Sequence, residues 1–490
     1  MLSNISNKST SIYKKYFIEL LFFIFRFHDI LIKTIKRGGV MNKHHGEQAL
    51  EKTIGFWTAI TVVIGTIIGS GVFVKPSVVL NHAGTSDLAI WAWVVGGILT
   101  LAAGLTIAEV GAQIPKTGGL YAYIRDIYGP FWGFLTGWMQ TVIYGPAIIA
   151  SLSLFFGILV TNFFGIDPGL GIWIGIAAFT FLVILNILGT NAGGAMQTFT
   201  TICKLIPVFA IIIFGLLWGK EGVFGHNVTS LIENKGEINF GRAVLATLFA
   251  YDGWILLTNL TGEMKNAKRN LPLAMLVGLS VVTFAYVLIN IAVFKVIPAE
   301  TLVGLGNTSS AEAAKILFGD LGSKFVNIGV IISIFGCLNG KIMTFPRIPF
   351  AMADDNLLPF AKFISYVSPK FKTPIGAMIT MYVVSMILLL LTIVIPEIVN
   401  ADYLSEICIF VIYIFYIASF IGLFILRKQT KGQKRDYSVP LYPIVPIIAM
   451  GGGLFIIIST LMSDFFGSML GVLFVVIGIP FYFMLRKNHV

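Results

Sequence analysis

The sequence predicts an all-α integral membrane protein with twelve transmembrane helices, on three observations. Hydrophobic residues make up 57% of the 490-residue chain and charged ones only 12%, about half the roughly 25% charge content of a soluble domain. Apolar runs of about 20 residues, the length a helix needs to cross roughly 30 Å of hydrocarbon, recur from residue 54 to the C-terminus. Lysine and arginine gather in alternate loops, as the sidedness of a helical bundle requires.

The twelve runs cover 54–80, 88–114, 131–163, 170–189, 196–219, 241–262, 272–297, 321–350, 374–396, 403–427, 441–462 and 466–486. The third and eighth exceed one bilayer thickness, which predicts tilt, extension beyond the bilayer, or two adjacent elements in one run. About 14 Lys and Arg lie in the loops holding Lys265, Lys268, Arg269, Arg427, Lys428, Lys431, Lys434 and Arg435, against about 5 opposite. That side is expected to be cytoplasmic, with both termini. The net charge of +11 is therefore a topology signal, and its scatter over loops excludes a nucleic-acid groove. Cys203, Cys337 and Cys408 sit inside spans at unrelated spacings, and the six histidines form no H-E-x-x-H, so no disulfide framework, metal site or cofactor is expected. The stretch Gly336 to Lys341 lacks the spacing and hydroxyl of a phosphate loop.

Residues 1–45 differ from the rest. Their apolar stretch is interrupted by Glu19, Arg26, His28 and Asp29 and makes neither a signal peptide nor a span. Arg37-Gly38-Gly39-Val40 before Met41 is what a purine-rich ribosome-binding sequence would encode, so Met41 is the expected native start. A surface-lying amphipathic arm is the alternative.

The first run contains Gly65, Gly69-Ser70-Gly71 and then Lys75-Pro76. Each glycine costs about 1 kcal/mol relative to alanine inside a helix, which predicts a break near the middle. In a membrane the freed backbone groups need protein or a wet cavity around them, and a half-helix starting near Gly71 would offer its N–H groups to a carboxylate. Packing through small residues is the alternative use of these glycines. The sixth run repeats the pattern with Phe249-Ala250-Tyr251-Asp252-Gly253-Trp254. Two interrupted spans at corresponding positions mark an inverted-repeat transporter site, with unwound carbonyls for an ammonium. Amides for a carboxylate and carbonyls for an ammonium describe a zwitterion, hence a small-molecule amino acid ligand. Asp252 either caps the second half-helix or serves in proton exchange or contact with the substrate ammonium.

These motifs resemble the amino acid/polyamine/organocation superfamily, in particular its L-type amino acid transporter branch with the bacterial serine/threonine exchangers. Gly69-Ser70-Gly71-Val72-Phe73 is similar to that family's first-helix break, and Phe249 to Trp254 to its F-A-Y-x-G-W sixth-helix break. Ala108 to Gly111, Ile114 to Gly119, Tyr121 and Tyr123 resemble the signature closing the second helix; Asn339-Gly340, Arg347, Ala351 to Ala353 and Leu358-Pro359 resemble the end of the eighth.

The resemblance implies a LeuT-type 5+5 inverted repeat with broken first and sixth helices plus two further helices. It divides the chain into an extension (1–45), a first repeat with its external loop (46–239), a second repeat (240–428) and a last helix pair with its tail (429–490). By the same resemblance Ile67, Gly69, Ser70 and Gly71 bind the substrate backbone from the first break, and Phe249, Ala250 and Asp252 from the sixth, with Phe249 also the gate. Eukaryotic relatives often carry a small residue where Asp252 stands. Lys204, deep in the fifth run, matches a lysine that replaces the cation of sodium-coupled cousins. The loop 162–171 lacks the cysteine by which eukaryotic light chains join a glycoprotein, implying a bacterial permease of the plasma membrane without a covalent heavy chain.

From the residues themselves, Tyr144 and Pro146 either shape a side-chain pocket or pack beside a helix kink. Asn339 either lines the pocket or bridges helices. Glu109 is expected to brace the end of the second helix, and Lys75, Lys295 and Lys341 to snorkel. The expected function is sodium-independent transport of neutral L-amino acids by alternating access, as an exchanger or proton-coupled permease. The alternatives are a cationic amino acid or polyamine carrier, for which Asp252 would have to face substrate unpaired, and a membrane amino acid sensor. Missing triads and metal ligands argue against an enzyme.

Overall fold

Twenty-residue apolar segments that find no water in the bilayer must satisfy their backbones internally, and the described chain is helical throughout. A computed structural model describes residues 50–232, 238–394, 401–463 and 465–487; the expected extension 1–45 lies outside them. Among the described residues eleven helices are long and apolar enough to cross a membrane, and Phe56–Ile67 adds a shorter apolar one. Strand pairing there is confined to the isolated bridges Ile54–Met264 and Thr85–Asn227.

The first run divides into Phe56–Ile67 and the short helices Gly71–Val74 and Pro76–Ala83, with Pro76 at a first-turn position where its missing N–H costs nothing. The third is one continuous element, Pro130–Phe164, carrying a π-helical turn at Gln140–Tyr144. The eighth is two helices, Asp320–Thr344 and Arg347–Asp354, parted at Phe345-Pro346, so its excess length reflects a second element beyond the span. The sixth separates into the α-helix Phe240–Ala250 and a ten-residue 3-10 helix, Trp254–Glu263. Short helices absent from the sequence reading lie between spans, at Leu120–Tyr128 and Ser309–Phe318.

Contacts between distant loops fix which ends lie together. Ile54 N donates to Glu263 O (3.0 Å) and Lys265 N to Ile54 O (2.9 Å), joining the start of the first span to the end of the sixth. Lys268 pairs with Asp436 at 2.9 Å at that same, Lys/Arg-rich end. Glu109 is fully buried there, its carboxylate accepting from Arg427 Nε (2.8 Å), Arg427 Nη2 (2.6 Å) and Val439 N (2.7 Å), so it anchors the connection into the last two helices. Glu109→Gln keeps the shape but removes the charge. It is expected to cost about 1–3 kcal/mol of stability, read as a lower thermal midpoint in detergent with unaltered substrate preference.

Candidate functional site

The helix Phe56–Ile67 stops because Ile68 turns extended, at φ −69° and ψ 94°. A stopped helix leaves carbonyls without N–H partners, and buried ones must be satisfied by side chains. Lys204 Nζ donates to Gly65 O at 2.7 Å and Ile68 O at 2.6 Å. The Ser333 hydroxyl adds bonds to Ile68 O (2.9 Å) and Gly69 O (3.0 Å), and Cys337 Sγ lies 3.3 Å from Thr66 O. The Lys204 side chain crosses from the middle of the helix Thr190–Trp218 and is 0% exposed. It has no route to water, so it does not snorkel.

Beyond the break the N–H groups of Gly69, Ser70, Gly71 and Val72 have no acceptor among the described residues. Gly69, Ser70 and Gly71 are half-buried. A Cβ on Gly71 would sit 2.9 Å from Ala250 Cβ, so the two breaks meet there back to back. The second break turns on Gly253, at φ +115°, where an added Cβ would lie 2.5 Å from Thr66 O. Only glycine accepts that conformation and that distance together. Thr66 Oγ1 bonds Gly253 O across the same junction at 3.1 Å.

Tyr286, from the seventh span, ties the breaks together: its single hydroxyl lies 3.3 Å from Ile67 O and 3.1 Å from Ala250 O. Sequence reasoning passed over it, although a phenol in mid-span signals a group in need of a partner. Tyr286→Phe removes only that hydroxyl, worth about 1 kcal/mol. The expected result is a roughly fivefold fall in kcat/KM for the transported amino acid at unchanged expression; an unchanged kcat/KM would deny the hydroxyl a positioning role.

Asp252 is part-buried between the breaks. Its Oδ2 accepts from the Tyr144 hydroxyl (3.2 Å) and lies 3.7 Å from Lys341 Nζ. Tyr144 closes the π-helical turn, a local widening of the third span that carries the phenol toward the sixth, and its ring packs on Phe345 at 5.4 Å. Lys341 is 3% exposed, so the expectation that it snorkels is corrected: its ammonium lies at the acid in the middle of the bundle.

Asn339 bridges helices, one of its two expected uses. Its Nδ2 donates to Gly193 O (3.1 Å) and Gln197 Oε1 (2.8 Å), and its Oδ1 accepts from Asn186 Nδ2 (2.8 Å). Both amide hydrogens and one lone pair of the oxygen are used in bridging the eighth span to the fourth and fifth. The other residues expected at the site, Ile67, Gly69, Ser70, Gly71, Phe249, Ala250, Asp252, Tyr144 and Lys204, lie on the two breaks or on the spans whose side chains reach them. A second buried ion pair, Arg347 with Glu263 (2.7 and 2.9 Å), closes the site's Lys/Arg-rich end, with the Thr190 hydroxyl touching both partners.

A family model described as amino acid permease matches residues 54–484. The chain belongs to the amino acid permease family. The permease thus has the LeuT-type fold. It is 52% identical over 445 residues to the serine/threonine exchanger SteT of Bacillus subtilis (strain 168), covering 91% of this chain and 99% of that one. It is 31% identical over 448 residues to the Homo sapiens Asc-type amino acid transporter 1, covering 89% and 82%. The Homo sapiens cystine/glutamate transporter is 30% identical over 440 residues, covering 89% and 85%. The permease is a multi-pass membrane protein, and these relatives are named transporters and exchangers.

Proposed function

We propose that this permease exchanges small neutral L-amino acids, serine and threonine foremost, across the plasma membrane by alternating access and without sodium. The observation that carries the proposal is the charge arrangement at the two breaks. Two ammonium groups, Lys204 and Lys341, and one carboxylate, Asp252, leave a net positive site. Unaccepted amides at residues 69–72 are suited to a substrate carboxylate. A substrate carrying a second positive charge is repelled there, which disfavours the cationic amino acid and polyamine readings.

Lys204 holds the first-break carbonyls that a sodium ion would otherwise need, which supports sodium independence. Lys341 and Asp252 stand 3.7 Å apart, an ion pair but too long for a hydrogen bond. Both keep hydrogen-bonding capacity for a guest, and a serine or threonine hydroxyl fits that role. The name of the 52% identical exchanger agrees. We assign the Lys/Arg-rich end to the cytoplasm, and the chain works without a covalent heavy chain.

Uptake of labelled serine, leucine and arginine into proteoliposomes, empty or preloaded, with and without sodium and a pH gradient, tests this. Serine uptake that requires internal amino acid and ignores sodium is the expected result. Strict sodium dependence would overturn the role of Lys204, and uptake of arginine alone would overturn the assignment to neutral substrates. Binding without flux would make the chain a sensor.

A further inference from the structure

At the Lys/Arg-rich end, loops remote in sequence are fastened to one another. Lys268, in the first turn of the seventh span Ala267–Val296, pairs with Asp436 in the loop 430–443 at 2.9 Å. The Arg427 guanidinium, near the end of the tenth span, lies 3.7 Å over the ring of Tyr442, just ahead of the eleventh span Ile444–Ser463. That ring also meets Phe424, with centroids 5.4 Å apart. These contacts gather Lys265, Arg269, Lys428, Lys431 and Lys434, all exposed, along one rim. Asp436 is engaged by Lys268, and none of the five has an acidic partner among the described residues. Cations collected in this way repel one another and favour an anion between them.

The rim stands where the lipid-facing surfaces of three spans end. On the seventh, the exposed Leu273, Leu276 and Phe284 share one helix face, and Arg269 continues that face one turn further out. On the tenth, Ile414 and Ile421 are exposed seven residues apart, and Lys428 follows seven residues later on the same face. Leu441 is 73% exposed, and exposed Ile444 and Ile447 carry its apolar surface into the eleventh span. Lysines placed only for solubility would show no register with the lipid-facing residues. Here apolar surface suited to acyl chains leads outward into cations suited to phosphate.

We infer that this rim is a binding surface for anionic phospholipid of the adjoining leaflet. The headgroup phosphates sit among the five cations, and the acyl chains lie along the seventh, tenth and eleventh spans. Each lysine or arginine held near an anionic surface favours contact by about fivefold. A zwitterionic headgroup brings its own ammonium to the rim and gains less, so the surface selects lipids of net negative charge. The inference is independent of which amino acid is carried.

Lipid retention tests it without reference to transport. The purified permease is placed in nanodiscs of phosphatidylcholine with a minor share of phosphatidylglycerol and extracted into mild detergent, and the lipid kept by each chain is counted by mass spectrometry. Phosphatidylglycerol is expected to be enriched at least threefold over its share of the bilayer, less so at high salt. Replacing Lys265, Arg269, Lys428, Lys431 and Lys434 together by glutamine should remove the enrichment. Exchanging lysine for arginine and arginine for lysine at the same five positions should keep it, as should Lys220→Gln with Lys324→Gln at the opposite end. A thermal midpoint in detergent shows that each variant is folded; should the fivefold variant fail, Arg269→Gln with Lys434→Gln is expected to lower the enrichment at least twofold. No enrichment in the wild type, or enrichment untouched by loss of these charges, would overturn the inference. Displacement of phosphatidylglycerol by an equal concentration of soluble glycerol phosphate would overturn it as well, because the rim would then take a free anion rather than a lipid.

Discussion

Lys204→Ala is expected to abolish amino acid uptake while the protein still reaches the membrane. The ammonium makes two short bonds to carbonyls of the first break, at 2.7 and 2.6 Å, in a place with no access to water. Charge-assisted bonds of this kind are worth about 1.5–3 kcal/mol each, so even the low end for two, about 3 kcal/mol, exceeds a hundredfold in the population of the formed break. Ile68 O would keep the Ser333 hydroxyl, whereas Gly65 O would lose the side-chain donor it has. The backbone amides at 69–72 hold their aim only while that turn holds its shape. Lys204→Met, which keeps most of the stem and drops the charge, is expected to fail as fully as alanine. Normal surface expression and an intact thermal transition, measured beside uptake in both variants, separate lost transport from lost folding. Full uptake in the methionine variant would refute the bridging role.

The breaks were legible because glycine and buried charge are costly in a membrane helix and leave a mark in one local window. Gly69-Ser70-Gly71 and Asp252-Gly253 each begin two residues after the helices Phe56–Ile67 and Phe240–Ala250 end. Lys204 was legible for the same reason, being a cation too far inside its run to reach water. What the residues meet was less legible. Tyr286 reaches Ile67 across 219 positions and Ser333 reaches Ile68 across 265, and no local window holds such pairs. Lys341 and Asn339 are two residues apart on one helix, and periodicity does not say which of them faces the breaks. The structure turns Lys341 toward Asp252 and Asn339 toward the fourth and fifth spans. The helices Leu120–Tyr128 and Ser309–Phe318 are too short and too polar to register as apolar runs.

Lys341→Met is expected to open the permease to cationic amino acids. The wild-type ammonium stands 3.7 Å from Asp252, a separation at which unit charges interact by about 4 kcal/mol at an effective dielectric constant near 20. Methionine fills nearly the same volume and leaves the carboxylate with the Tyr144 hydroxyl alone among the partners described above. An arginine or lysine side chain can then take the place of the lost ammonium. Recovering only a third of that interaction, about 1.4 kcal/mol, is a tenfold gain, so arginine should inhibit serine uptake at a concentration at least tenfold lower than in the wild type. Serine exchange should slow as well, because the hydroxyl loses one of its two partners. The double variant Lys341→Met with Asp252→Asn removes both charges and should return arginine to exclusion, tying the gain to the uncovered carboxylate rather than to added space. If arginine stays excluded from Lys341→Met, pocket shape and not the buried pair keeps cations out.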